Sequence, residues 1–134
     1  MSDPARARLR HRFRAETTLA AVLRDFAAVG LPRDPLTARI EVGEHDALTA
    51  HVEVAGRPLR VCAEQPQRLA VAVASFLQEG EFLRGNEWPH IPGLGLLRPL
   101  VLGERAVWAL PDGDALCEIG ALFEPEPQPV LEGD

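Results

Sequence analysis

Apolar residues recur at helical spacing in two stretches of the chain. Leu19, Val22, Leu23, Phe26 and Val29 form one stripe, which predicts a helix over 18–29. Thr17 or Thr18 can cap its start, Gly30 suits the left-handed position after its end, and Pro32 prevents its resumption. Leu69, Ala72, Val73, Phe76 and Leu77 form a second stripe and predict a helix over 66–79, opened by Pro66 and ended by Gly80.

Elsewhere the period is two. Ile40 and Val42 share a face in 39–43. Leu48, Ala50, Val52 and Val54 share one in 48–55, and Leu59, Val61 and Ala63 share one in 59–64. Gly56-Arg57 reads as a two-residue hairpin turn with glycine first. That register pairs Val54 with Leu59 and Val52 with Val61 inside, and Glu53 with Arg60 outside. A Pro- and Gly-rich loop covers 85–99. A second meander follows, with strands over 100–102, 105–110 and 115–123 and turns at Gly103-Glu104 and Pro111-Asp112-Gly113-Asp114. Residues 5–15 also alternate: Arg6, Arg8, Arg10, Arg12 and Arg14 take one parity, Leu9, His11 and Phe13 the other. Period two is a strand signal, and on a helix it would scatter the arginines over two faces. The segment is expected to be an arginine-rich edge strand or a solvated tail.

The expected fold is α+β: two helices packed on one face of a largely antiparallel sheet, in the order (β)-α-βββ-α-βββ. A shift of fifty residues lays Leu19, Ala20, Phe26 and Gly30 on Leu69, Ala70, Phe76 and Gly80, the pattern of an internal pseudo-repeat. The element order is similar in outline to bacterial secretion-chaperone-like domains, although here a Pro/Glu segment follows where such domains have a last helix. One domain is expected over 1–123, followed by a disordered acidic tail over 124–134.

Composition and charge narrow the function classes. The chain has 134 residues, enough for one hydrophobic core without disulfides or metal. No apolar stretch is long enough to span a membrane. Cys62 and Cys117 read as small core residues in a reducing compartment, so a cytoplasmic location is expected. Every basic residue is arginine, which fits GC-rich coding and a bacterial source. Residues 1–15 carry a net +4 and residues 16–134 a net −10, a balance that repels phosphate backbones except at a local patch.

The candidate chemistry is sparse. The arginines Arg6, Arg8, Arg10, Arg12 and Arg14 could follow a nucleic-acid backbone, with Phe13 available to stack. Their structural alternative is a charged edge that resists aggregation. His51-Val52-Glu53 matches half of a zinc deaminase signature but lacks its cysteine pair. The register above sets His51 opposite Cys62, with Glu53 and Glu64 on the same face. An ordinary polar sheet face accounts for that set, and no metal or cofactor is expected. In the long loop, Trp88 and His90 could contact a ligand or partner and Glu87 could orient His90; the alternative is a packed plug. The leading expectation is a non-catalytic protein-interaction domain, pairing as a homodimer or with another protein. Nucleic-acid binding through the arginines and a small enzyme around Trp88 and His90 are the alternatives.

Overall fold

Asp3 starts the first helix. Its carboxylate accepts the Ala5 amide at 3.0 Å, and its carbonyl accepts that of Ala7. Pro4 takes the first helical position, where a missing N–H removes no hydrogen bond. In the computed structural model, which describes residues 3–27 and 36–122, α1 runs unbroken over Pro4–Ala27. The arginine segment is therefore helical, neither an edge strand nor a tail. Arginine and alanine are strong helix formers, and 5–27 contain no Gly or Pro. Extending a capped helix into a packed stripe adds one hydrogen bond per residue at no further nucleation cost. Val29, Gly30 and Pro32, expected to end this helix, lie outside the described residues, as does the segment 124–134.

Strands β1 (Leu36–Val42), β2 (Leu48–Val54) and β3 (Arg57–Ala63) form an antiparallel sheet in chain order. The hairpin turns at Ala55-Gly56, not Gly56-Arg57: Val54 faces Arg57, Val52 faces Leu59 and His51 faces Arg60. Ala55 and Gly56 both have positive φ, 52° and 80°. That is the turn whose twist matches the strands it joins. The shift from the expected register is two residues, so every side chain keeps its expected face. Val52 is buried, Val54, Leu59 and Val61 are half-buried, and Glu53 and Arg60 are exposed. Val54 and Arg57 flank the turn as its hydrogen-bonded pair, so the next pair, Glu53 and Pro58, is non-bonded and costs the ladder nothing for the missing Pro58 N–H.

Helix α2 (Pro66–Leu83) passes through Gly80 rather than stopping there. A Cβ at Gly80 would stand 2.9 Å from the Arg57 guanidinium, which lies over the Phe76 ring. Gly80 thus makes room for a cation, and the helix ends against Gly85, at φ 85°. A two-residue ribbon, β4 (His90–Ile91) and β5 (Gly95–Leu96), leads into a second antiparallel sheet of β6 (Arg98–Leu102), β7 (Arg105–Ala109) and β8 (Ala115–Glu118).

The architecture is α+β, with two helices packed against antiparallel strands, each helix preceding a three-stranded meander. The meanders are separate sheets, not one continuous sheet. Helix α2 bridges them, packing on β2 and β3 of the first and on β6 and β7 of the second; α1 packs on α2 and β1. Leu69, Val73 and Leu77 of α2, Leu48 and Val52 of β2, Leu19 and Val22 of α1, and Trp88 and Trp108 meet in one core.

Candidate functional site

The loop residues singled out by sequence point in different directions. Trp88 is 1% exposed and stands edge-on to Phe26 and Trp108, with ring centroids 5.1 and 5.2 Å away. It is a core plug and not an exposed ligand contact, because its indole buries more area than any other side chain of the loop could. Its Nε1 has no hydrogen-bond partner among the described residues. His90 points outward, and Glu87 reaches it with its carboxylate 3.9 Å from Nε2. The structure therefore brings Glu87 and His90 together, while the buried Trp88 lines a shallow hollow with Glu87 and Leu96.

The polar face of the first sheet differs from expectation as well. His51 lies between Arg39 and Arg60, while Cys62 lies opposite Thr49, with Sγ 3.4 Å from Oγ1. Arg39 donates to Glu41 at 2.6 Å and His51 approaches the same carboxylate at 3.5 Å. The Arg39 guanidinium, then the imidazole, hold the Glu41 carboxyl below its ordinary value. His51 and Cys62 are not cross-strand partners, and no set of three His, Cys, Asp or Glu gathers in metal-binding geometry among the described residues.

All five arginines of the cluster are exposed. At about 100° per residue, Arg6, Arg10 and Arg14 form one row on α1, and Arg8 and Arg12 form a second. Leu9 and Phe13 lie one turn apart in the arc between the rows, 66% and 69% exposed. Nothing from Asp3 to Arg14 is buried; core contact begins at Ala15. This half of α1 is an overhang, tethered where Arg8 donates to the Val42 carbonyl at 3.1 Å and where the His11 ring meets the Asp46 carbonyl at 2.8 Å. Arg12 also faces Glu16 at 3.8 Å, an exposed pair of small energetic weight. Phe13 and Arg14 line a groove of about 680 Å³ between α1, the start of α2 and the second sheet, with Ala21, Pro66, Glu104, Glu118 and Ile119.

The signals for this site were in the sequence. Asp3-Pro4 is a helix start, and a helix starting there turns a strand-like alternation into two arginine rows flanking an apolar ridge. What holds the helix in place had a weaker signal, an acid within the apolar stripe. Asp25 is buried and accepts Trp108 Nε1 at 2.8 Å and the amides of Gly120 and Leu122, while Arg24 donates two hydrogen bonds to the Gly120 carbonyl. Burial pushes the Asp25 carboxyl above its ordinary value, and these donors offset part of that rise. The clasp fixes the end of α1 on the second sheet and so aims the overhang.

Comparison with known proteins finds no matching family model, no matching curated protein and no matching solved structure.

Proposed function

We propose that this chain is a non-catalytic protein-interaction domain whose docking surface is the exposed face of α1, and that its partner is a second copy of the chain or another protein. One observation carries the reading: the first half of α1 buries nothing yet displays Leu9 and Phe13 between two arginine rows. Large apolar side chains left in water forgo about 1.5–3 kcal/mol each. A partner that covers them recovers this, and arginine is among the residue types enriched at interfaces.

A photo-crosslinking residue at position 13 tests the surface, with position 60 on the polar sheet face as control. The expected result is a discrete crosslinked protein from position 13 and none from position 60. Sedimentation of the purified chain, 14.6 kDa per copy, separates self-pairing from a different partner. A monomer at all concentrations together with no crosslink from position 13 overturns the reading.

A further inference from the structure

We propose that the α1 face takes an acidic protein segment carrying large aliphatic or aromatic side chains. This rests on the interaction-domain reading above and specifies the partner's chemistry. Charge supplies the first argument. Asp3 is the only acid among residues 3–14, set against five arginines, whereas residues 16–134 carry a net −10. Arginine's planar fork matches a carboxylate in a two-point contact, and Arg6, Arg10 and Arg14 repeat it along one line.

Pattern supplies the second argument. The apolar ridge of Leu9 and Phe13 lies between the rows, so a complementary partner alternates carboxylates with apolar groups. Phe13 also lines an open groove with Ala21, Pro66 and Ile119, where an apolar side chain of the partner can rest beside Arg14 and Arg105; Glu104 and Glu118 border the same groove, so the partner's carboxylates belong on the arginine rows and not in it. The row from Arg6 to Arg14 is only about 12 Å long at a helical rise of about 1.5 Å per residue. Glu16 closes the second row, facing Arg12 at 3.8 Å, and Glu44 and Asp46 lie on the loop beside His11. A long polyanion overruns this patch and runs onto a body of net −10. A nucleic-acid backbone also leaves Leu9 in water. A helix lying in an anionic membrane needs a broad apolar face, and the overhang of α1 offers two large apolar residues, Leu9 and Phe13. A short acidic segment with apolar side chains satisfies both rows and the ridge.

The test is fluorescence anisotropy of the full chain with a short labelled peptide in which glutamate alternates with leucine. Two further peptides replace all glutamates by glutamine or all leucines by serine. Oligothymidylate and phosphatidylserine vesicles represent the phosphate-bearing alternatives. The expected result is saturable binding to the first peptide, weakened at least about tenfold by Phe13→Ser and by the pair Arg10→Ser and Arg14→Ser, a loss of about 1.4 kcal/mol or more. Both altered peptides bind more weakly, and added salt weakens the first. Phe13, Arg10 and Arg14 are exposed, so the variants keep the parent melting temperature and report on binding alone. Absence of peptide binding, unchanged affinity in Phe13→Ser, or tighter binding of the oligonucleotide or vesicles overturns the inference. If peptide binding fails while the crosslink from position 13 persists, the acidic partner is wrong and the interaction reading stands.

Discussion

Asp25 shows how one side chain can join distant parts of a chain. Three N–H groups, from Trp108, Gly120 and Leu122, converge on its carboxylate, and each lies more than eighty residues away in sequence. Its position in the apolar stripe, three residues after Val22, marks an acid on a buried face, but the sequence gives no sign of which donors meet it. Gly120 is part of the same clasp: at φ 107°, its place would set a Cβ 2.6 Å from that of Ala21, so the turn closes against α1 only with glycine. Asp25→Ala leaves these buried donors unsatisfied and should cost about 3 kcal/mol or more, read from urea unfolding. The pH dependence follows from the raised carboxyl. In the unfolded chain the group titrates near 3.8, and in the fold it titrates higher, so the native state holds the proton more tightly. Its contribution is fully present below that value and is lost as pH rises through the folded pKa. The stability of the parent relative to Asp25→Asn should therefore decline as pH is raised from about 4. An advantage that grows with pH over that range contradicts the assignment.

At the scale of elements, period and stop signals differ in what they specify. The two apolar stripes located both helices, and alternation assigned the faces of the first sheet, because burial acts on faces and not on end points. Register depends on turn geometry, which is why Gly56-Arg57 was the natural reading and Ala55-Gly56 is the observed turn. Ala55 there holds φ 52°, a conformation that costs an L-residue with a Cβ and suits asparagine better. Ala55→Asn should stabilise the hairpin by roughly 0.5–1 kcal/mol. Thermal melting checks this, and no gain would argue against the tight two-residue turn. Gly80 makes the complementary point. It resembles a helix stop, yet α2 continues through it to Leu83, and the Arg57 guanidinium occupies the space that a side chain at position 80 would enter.

At the scale of the whole molecule, the loop of Trp88 and His90 separates packing from surface chemistry within three residues. Trp88 lies between Phe26 of α1 and Trp108 of β7, joining the helix end to the second sheet. Trp88→Ala should cost about 3–5 kcal/mol. His90→Ala should change stability by less than about 0.5 kcal/mol, since its ring is exposed and its approach to Glu87 is long. Chemical denaturation of both variants distinguishes them. A large loss in His90→Ala would place that ring in the core and remove it from any surface role.

The α+β class, both helix cores, the faces of the first sheet and the presence of an arginine cluster were legible in the chain alone. These follow from short-range periodicity and composition, which the chain carries locally. The structure puts that cluster on a helix and not on a strand. Alternation is compatible with either, and the choice falls to the Asp3 cap, a local signal, and to continuity with a packed stripe. Tertiary contact decided that Trp88 faces inward, that Asp25 clasps the second sheet, and that Leu9 and Phe13 remain in water between the arginine rows. Each of these depends on which distant surface arrives beside the residue, and local pattern carries no record of that.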